Sequence, residues 1–426
     1  MIINRDIYLN KLIVRKHNHM VKVVTGMRRS GKSYLLFRLF YEHLIGNGID
    51  DEHIIRLNLE DRLNKSLRNP DALLEYIYGK ISGTGMYYVL LDEIQFVAEF
   101  EDVLNSLLNR GNVDVYVTGS NAKFLSKDVI TEFRGRGDEV RVHPLSFKEY
   151  FSVGNAESRE QALLDYMTYG GLPQTTTMLS SEQKEDYLKT LFVHTYITDI
   201  KERYRIKNDA DLEELIDLLA SSIGGLVNPT KLQNTFKTVK RRDVSYDTIK
   251  NYLDMLQDAF VVEKAVRYDI KGKRYIDTPT KYYFEDLGLR NARINFRQAE
   301  QTHLMENLIY NELRIRGLSV DVGEVVVNTK DENGVSRRKN LEVDFVCNRG
   351  FRRCYIQSAL ALPTPEKMEQ ECASLRRITD SFQKIVIVGG LAPTYQTDDG
   401  ILILNIFDFL LDEGSVYKTL GYPELG

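Results

Sequence analysis

The chain has 426 residues, more than one hydrophobic core usually spans, so we expect two or three domains. Its 43% hydrophobic and 28% charged residues are typical of a soluble globular protein, and no run approaches the roughly 18 apolar residues that cross a membrane. The net charge of −4 gives no overall attraction to nucleic acid, and the three cysteines lack paired metal-ligand spacing. Because the N-terminus has no apolar stretch of signal-peptide length, we expect a cytoplasmic protein.

A phosphate-binding motif follows the first predicted strand. Residues 1–20 predict a helical lead-in, 21–24 a buried strand and 34–44 a helix. Between the strand and the helix, the segment 26–33 (GMRRSGKS) matches G-x-x-x-x-G-K-[ST] at every fixed position. Such a turn directs backbone N–H groups at the positive end of a helix dipole, where a polyphosphate can bind. The predicted nucleotide-binding residues are Gly26, Met27, Arg28, Arg29, Ser30, Gly31, Lys32, Ser33 and Tyr34.

The fixed positions of this motif have specific expected roles. Gly26 and Gly31 supply the backbone freedom that the loop needs, and they place no Cβ in the path of the phosphates. Lys32 is expected to reach the β- and γ-phosphates of a nucleotide, and the Ser33 hydroxyl to ligate Mg²⁺. A glycine-containing turn without any ligand is the alternative interpretation.

The second half of the predicted site lies in residues 87–95 (YYVLLDEIQ). A continuous apolar run that ends in two acids is typical of a central parallel strand, and ligands of open α/β sheets bind at the carboxyl ends of such strands. Asp92 would hold Mg²⁺ opposite Ser33, and Glu93 would orient or deprotonate the water that attacks the γ-phosphate. Alternatively, the two acids cap the helix that follows them.

Further candidates follow the next predicted strand, at residues 113–117. This strand is followed by TGSN, where Ser120 or Asn121 could sense the γ-phosphate or cap the next helix. Arg134 and Arg136, in the segment FRGRG, suit a mobile guanidinium that reaches phosphate from the same chain or from a neighbouring subunit. A solvated basic loop is the alternative for these arginines.

Five blocks of the chain resemble, in the same order, a group of bacterial and archaeal AAA-type P-loop ATPases: TGMRRSGKS, YYVLLDEIQ, VTGSNAKFLS, FRGRG and HPLSFKEY. In that group the ATPase domain precedes a C-terminal domain of unknown function. The resemblance implies an AAA-like parallel sheet with strand order 5-1-4-3-2, and ATP as the nucleotide. It identifies residues 26–33 as Walker A, and Asp92 with Glu93 as Walker B.

A polar, glycine-containing stretch at residues 152–160 predicts the first linker of the chain. The overall prediction is an α/β protein in four parts. These are an AAA-like P-loop ATPase domain at 1–152, a helical connector at 153–206, a winged helix-turn-helix at 207–290, and a restriction-endonuclease-like domain at 291–426.

The predicted winged helix-turn-helix contains many basic residues. Its helices are expected to begin near Leu212, Asn228 and Ser245, and its wing to turn at residues 271–273. The basic residues are Lys237, Lys240, Arg241, Arg242, Lys264, Arg267, Lys271, Lys273 and Arg274. One interpretation is that helix and wing contact DNA phosphates. The other is an ATPase lid or a protein–protein element whose charges are solvated.

The last part resembles a nuclease scaffold that has lost part of its site. A predicted helix at 306–313 carries Glu306, and Asp344 lies on the first of two strands that follow. This order resembles the restriction-endonuclease-like fold, in which an Asp and a Glu-x-Lys on the next strand bind Mg²⁺ and activate water. Gln357 and Ala359 stand at the positions of that Glu and Lys. Because Mg²⁺ requires carboxylate ligands, we expect a fold without cleavage activity.

These patterns predict a Mg²⁺-dependent ATP hydrolase that serves as a molecular switch or machine on a protein or DNA partner, or through self-association. The first alternative is an ATP-regulated DNA-binding protein, acting as a regulator or a defence component. An active nuclease and a small-molecule kinase are further alternatives. The acids at a strand end and the appended domains favour hydrolysis over transfer of phosphate to a small molecule. We expect no membrane partner.

Overall fold

The computed structural model describes residues 2–119, 135–154, 156–206, 209–297, 300–330 and 336–416. These residues form two compact units. The first unit contains the described residues up to Pro144, together with Leu172–Gln174 and Asp258–Phe260. The second contains the rest, from Leu145 onwards. No helix in the described ranges is long and apolar enough to cross a membrane.

The first unit is built on a five-stranded sheet. All of its strands are parallel, and they lie in the order β2-β3-β4-β1-β5. The strands are β1 Val21–Thr25, β2 Ile54–Asn58, β3 Tyr87–Asp92, β4 Val113–Thr118 and β5 Gly137–Arg141. Counted from the other edge, this is the order 5-1-4-3-2 that the resemblance to AAA-type ATPases implies, so that prediction is confirmed.

Apolar side chains cover both faces of this sheet. Every residue of β1, β3 and β4 is buried, as expected for parallel strands that are packed on both sides. Side chains alternate between the faces, so Val89 and Leu91 pack in one core while Tyr88 and Leu90 pack in the other. The neighbouring strands β3, β4 and β1 therefore form a fixed layer whose carboxyl ends lie side by side.

The α- and π-helical segments of the first unit are Asp6–Ile13, Lys32–Tyr34, Leu35–Phe40, Tyr41–Gly46, Pro70–Lys80 and Phe100–Leu108. Its 3₁₀ helices are Asp51–His53, Arg62–Arg68 and Ile94–Phe96. The run 32–46 is continuous, with a π-helical middle at Leu35–Phe40. It begins at Lys32, two residues before the predicted start. The lead-in helix is shorter than the predicted stretch.

The second unit contains a nine-stranded mixed sheet in the order β13-β14-β12-β11-β10-β9-β7-β8-β6. Its strands are β6 Leu226–Val227, β7 Val262–Asp269, β8 Arg274–Phe284, β9 Ser319–Lys330, β10 Ser336–Arg349, β11 Arg352–Ala359, β12 Gln383–Val388, β13 Tyr395–Gln396 and β14 Leu402–Asn405. Its helices are Phe147–Val153, Arg159–Tyr169, Ser181–Leu191, Phe192–Ile197, Thr198–Tyr204, Asp209–Ser221, Pro229–Thr238, Tyr246–Asp258, Leu287–Arg293, Gln301–Ile315, Pro365–Arg376 and Ile406–Leu411.

The hairpin predicted as a wing belongs to this large sheet. Its second strand, β8, runs from Arg274 to Phe284. Its first strand, β7, pairs in parallel with β9, with Arg267 opposite Val322. The predicted boundary at residue 290 falls inside the helix Leu287–Arg293. The sheet thus joins strands from both sides of that boundary within one compact unit, and the division into four domains stays a prediction.

Candidate nucleotide-binding site

The predicted phosphate loop connects the carboxyl end of β1 to the helical run that begins at Lys32. Gly26 has φ +132°, and a Cβ there would lie 2.1 Å from the carbonyl oxygen of Val142. Gly31 has φ +97°, and Arg29 has φ +67°. The left-handed backbone and the close approach of a neighbouring chain segment require glycine at position 26. The loop has the shape that the motif predicts.

A buried arginine holds this loop from outside the motif. The side chain of Arg5 is almost fully buried. Its Nη1 donates to the carbonyl oxygen of Ser30 at 2.8 Å, and its Nη2 donates to the carbonyl oxygen of His143 at 2.7 Å. One guanidinium therefore ties the phosphate loop to the segment that follows β5, and its fork of donors suits two such acceptors. The sequence gives no sign of this role, because the partners lie 25 and 138 residues away.

Lys32 is buried beneath the loop. Its Nζ donates to the carbonyl oxygens of Gly26 at 3.0 Å and Met27 at 2.9 Å. Burial lowers the pKa of this ammonium group to about 8, although the nearby charges of Glu93 and Asp92 act in the opposite direction. The ammonium group thus lies inside the loop, bonded to neutral carbonyls that phosphate oxygens could replace.

Ser33 and Asp92 meet where β3 ends beside the loop. The Ser33 Oγ donates to Asp92 Oδ1 at 3.0 Å, and the hydroxyl of Thr118 donates to the same oxygen. Burial raises the pKa of Asp92, while the hydrogen bonds from Thr118 and Ser33 oppose that shift. The structure therefore brings together the hydroxyl and the carboxylate that the sequence proposes as magnesium ligands.

Glu93 follows directly, in a left-handed conformation with φ +54°. Its backbone N–H donates to Thr118 Oγ1 at 3.0 Å, and its carboxylate accepts a hydrogen bond from Gln95 Nε2. Glu93 precedes the short helix Ile94–Phe96, but its side chain makes no capping hydrogen bond there. The structure therefore does not support the alternative in which Glu93 caps the next helix.

Thr118 is the shared partner of both acids, and the sequence interpretation overlooked it. It lies at the end of β4, buried, with its hydroxyl donating to Asp92 and accepting from the backbone of Glu93. The available signal in the sequence was a hydroxyl residue at the end of β4, which neighbours the strand that leads to both acids. The sequence analysis instead selected Ser120 and Asn121, which lie outside the described residues.

Of the two candidate arginines, only Arg136 belongs to the described residues, and it does not lie at the loop. Arg134 lies outside the described residues. Arg136 is exposed, and its carbonyl oxygen accepts from the backbone N–H of Val21 at 2.8 Å, at the amino end of β1. The loop begins at the other end of this strand, about 13 Å away at the usual rise per residue. Arg136 therefore lies at the amino ends of the strands, whereas the phosphate loop of the same chain lies at their carboxyl ends.

The remaining predicted loop residues have varied surroundings. Arg28 forms a partly exposed ion pair with Glu60 at 3.6 Å, and the Tyr34 hydroxyl accepts a hydrogen bond from the backbone of Ile3 at 3.2 Å. Met27 is fully buried in the core. Ser30 is also buried, and its Oγ has no hydrogen-bond partner in the part of the chain that the structure describes.

A second group of buried charges lies in the predicted nuclease-like part. The Nζ of Lys281, on β8, donates to Glu306 Oε1 at 2.8 Å and forms an ion pair with Glu342 Oε1 at 2.6 Å. The Tyr283 hydroxyl also donates to Glu306, at 2.6 Å. Asp344 is buried nearby and accepts from the backbone of Ser358. The sequence analysis named Glu306 and Asp344 but missed Lys281, which comes from the hairpin predicted as a wing.

Within the described ranges, no group of three or more His, Cys, Asp or Glu residues is arranged to hold a metal ion by itself. In the second unit, the ammonium of Lys281 lies between two of the acids. In the first, Asp92 and Ser33 are too few for a complete site. Magnesium in nucleotide sites takes one or two protein ligands, with phosphate oxygens and water supplying the others.

Comparison with known proteins matches two parts of the chain to family models and the chain to several relatives. Residues 18–151 match a family model described as an AAA domain, and residues 160–300 match a domain of unknown function, DUF8612. An uncharacterized protein of Haemophilus influenzae is 36% identical over 415 residues, which cover 96% of this chain and 98% of that protein. An uncharacterized protein of Methanocaldococcus jannaschii is 29% identical over 358 residues, covering 81% of this chain and 75% of that protein.

Among solved structures, a Walker-type ATPase of Pyrococcus abyssi covers 69% of this chain and 96% of its own, with 14% identity and a TM-score of 0.48. A likeness at that level adds nothing to the assignment, which rests on the sequence matches. The chain belongs to the same family as the Haemophilus influenzae protein, and its N-terminal part is an AAA-type P-loop ATPase domain.

Proposed function

We propose that this protein binds ATP with Mg²⁺ at residues 26–33 and hydrolyses it, and that the nucleotide state drives a switch or machine acting on a partner. One observation carries the proposal. The Ser33 hydroxyl, at the start of the loop helix, lies 3.0 Å from the Asp92 carboxylate at the end of β3. A hydroxyl and an acid from elements 59 residues apart thus meet beside a buried lysine.

The residues present fit a nucleotide with its metal. Gly26 keeps the loop free of a Cβ, and the Ser30 hydroxyl is a buried polar group that lacks a described partner. Asp92 and Ser33 would hold Mg²⁺ through hard oxygen ligands. When bound, the ion would neutralise charge that develops on the β- and γ-phosphates.

The lysine and the second acid would act on the phosphates and on water. Lys32 would exchange its carbonyl partners for phosphate oxygens, because a charged acceptor makes a stronger hydrogen bond to ammonium than a neutral one. Glu93 would take a proton from the attacking water or orient that water. Thr118 would keep both acids in place, since its hydroxyl bonds to Asp92 and to the backbone of Glu93.

Two substitutions in the full chain test this function. Lys32→Ala should abolish binding of a fluorescent ATP analogue, because the loop loses its buried cation. Glu93→Gln should leave binding within a few fold and slow turnover by about 100-fold or more, the usual contribution of a general base. The control is Arg38→Ala, which removes an exposed ion pair with Glu42. Turnover at the wild-type rate in both Lys32→Ala and Glu93→Gln would sink the proposal.

We further propose that Arg134 or Arg136 completes the phosphate site of a neighbouring copy. Arg136 lies at the amino end of β1, away from the phosphate loop of its own chain. We therefore expect it to reach the phosphate site of a second chain. Arg136→Ala should then lower turnover, and mixing it with Lys32→Ala should restore part of the rate. Asn121 stays a candidate for sensing the γ-phosphate. No restoration by mixing, at concentrations where wild-type turnover is independent of protein concentration, would contradict a role in trans.

The alternative, an ATP-regulated DNA-binding protein, has less support in the geometry. Several cations of the predicted winged helix already have acidic partners, namely Lys240 with Glu214, Arg242 with Asp211, Arg267 with Glu324, and Arg274 with Asp269. Exposed Lys271 and Lys273 remain at the hairpin turn. If DNA is the partner, retention on duplex DNA should fall steeply with salt, and Lys271→Glu with Lys273→Glu should flatten that slope.

A further inference from the structure

Gln95 lies two residues after Glu93, in a part of the chain that is well fixed. It belongs to the short helix Ile94–Phe96, directly after β3. Ile94 is fully buried in the core, and backbone hydrogen bonds of 3.1 and 2.9 Å close the turn. A side chain carried on such a turn has a defined position relative to the end of β3.

The side-chain amide of Gln95 contacts the second acid of the site directly. Its Nε2 donates to Glu93 Oε2. The opposite orientation of the amide would place an oxygen against a carboxylate, so the nitrogen must face Glu93. The Gln95 Oε1 is then left buried, and it has no hydrogen-bond partner among the described residues. A buried acceptor of this kind is uncommon and calls for a donor that the described residues do not supply.

Water can supply that donor during hydrolysis of a phosphoanhydride. The attacking water has two hydrogens, of which one points to the general base and the other needs a second acceptor. Glu93 and Gln95 together offer a carboxylate and an amide oxygen on adjacent side chains. The contact with Nε2 also fixes one of the two carboxylate oxygens of Glu93, which limits how that side chain can turn.

We propose that Gln95 is a positioning residue for ATP hydrolysis: its Nε2 holds the Glu93 carboxylate, and its Oε1 accepts a hydrogen bond from the attacking water. This inference rests on the proposed ATPase function. In the step itself, the water oxygen bonds to the γ-phosphorus, and the bond to the bridging oxygen breaks with its electron pair passing to ADP. The proton of the water goes to Glu93. Gln95 neither gains nor loses a proton.

The test compares Gln95→Ala and Gln95→Glu with the wild-type chain in single-turnover ATP hydrolysis. Gln95→Ala should lower turnover by about 10- to 100-fold, a part of what a general base contributes, and change the Kd for ATP by less than about threefold. Gln95→Glu places a second carboxylate beside Glu93. Two adjacent carboxylates resist losing both protons, so the base should become active only at higher pH. Turnover of Gln95→Glu should therefore fall at low pH, and the acid limb of its pH–rate profile should shift to higher pH by about one unit or more.

Glu93→Gln is the reference for loss of the base, and Ser106→Ala is the matched control, since it removes one exposed hydrogen bond in the same unit. If Glu93→Gln abolishes turnover while Gln95→Ala matches wild type, the inference is overturned and the ATPase function stands. Faster turnover in Gln95→Ala would also overturn it, because the amide would then restrain the acid. An unshifted pH profile in Gln95→Glu would reduce Gln95 to a structural role. Failure of the wild-type chain to hydrolyse ATP removes the proposed function itself.

Discussion

Two buried lysines of this chain differ in the charge of their partners: Lys32 contacts neutral carbonyl groups, and Lys281 contacts carboxylates. Lys32, in the phosphate loop, donates to two main-chain carbonyls, and burial lowers its pKa to about 8. Lys281, in the nine-stranded sheet, donates to the carboxylate of Glu306 and forms an ion pair with that of Glu342. Burial alone would lower its pKa as well, but the surrounding acids raise it above that of a free lysine.

The charge of Lys32 is therefore available to a ligand, whereas the charge of Lys281 is already neutralised by acids. No carboxylate of the described residues is hydrogen-bonded to Lys32, so a polyphosphate would relieve an unfavourable buried charge. The acids around Lys281 already have an internal cation between them, and a divalent ion would have to displace it. The ammonium of Lys32 is therefore bonded to neutral groups, whereas the charges around Lys281 are satisfied by internal ion pairs.

The largest expected effect is on stability. Lys281→Met should lower the free energy of unfolding by about 3–5 kcal/mol, because it leaves buried carboxylates without their counter-ion. Lys32→Met should cause no such loss, since the lysine it removes is desolvated and bonded only to carbonyls. Urea denaturation without nucleotide measures both. Equal losses in the two variants would break the comparison between the lysines.

A second expected effect concerns Asp344, beside Lys281. Burial raises the pKa of Asp344 to about 8, with a further contribution from Glu306. A folded chain that holds this proton more tightly than the unfolded chain loses stability as pH rises from near 4 to about 8, by at most about 1.4 kcal/mol per pH unit. Asp344→Asn should remove that slope, so its stability relative to wild type should increase between pH 6 and pH 8. Parallel pH–stability curves for the two proteins would contradict this.

The next effect is smaller and concerns ATP binding. Because the pKa of Lys32 is about 8 before ligand binds, its ammonium group starts to lose its proton above that pH. Phosphate binds the protonated form, so ATP affinity should fall as pH rises from 8 to 9.5, by at most about tenfold per unit. Lys32→Arg is the matched control: its affinity should be weaker but nearly independent of pH, because arginine stays charged. Titration calorimetry at several pH values measures both.

The smallest effect is expected at Arg5. Arg5→Lys keeps the charge but loses the fork that reaches both Ser30 and His143. The loop should then become less ordered, and ATP affinity should weaken by about 5- to 20-fold, the loss of roughly one or two hydrogen bonds to a charged group. Turnover at saturating ATP should change little. A fall in turnover without loss of affinity would show that Arg5 acts on the chemical step instead.

Local patterns predicted the first unit well. The positions of β1, β3 and β4 and the loop between β1 and the helix at Lys32 follow from apolar runs, glycines and a fixed motif, which are all contiguous in sequence. The order of the five strands came from the resemblance to AAA-type ATPases and is the order in the structure. The meeting of Ser33 with Asp92 was also predictable, because carboxyl ends of parallel strands share one edge. The positions of these residues are determined by their neighbours along the chain, which is why the sequence predicts them.

Contacts between distant segments were not predictable in the same way. Thr118 and Arg5 act through partners far along the chain, and neither residue belongs to a recognised pattern. Lys281 was hidden for a related reason: the hairpin that carries it was interpreted as a separate wing. The pairing of β7 with β9, together with the contacts of Lys281, shows that this hairpin reaches the acids of the last part of the chain.

That pairing has a consequence for how the chain can be cut. In the described structure, β7 lies between β8 and β9, so it has a hydrogen-bonded neighbour on each side. A truncated protein that stops at residue 290 would lack β9 and leave the backbone groups of residues 267–269 without their strand partner. Open edges of this kind recruit other strands and promote aggregation. Insoluble fragments from such a truncation would reflect a sheet divided through its middle, and they would carry no information about the ATPase half.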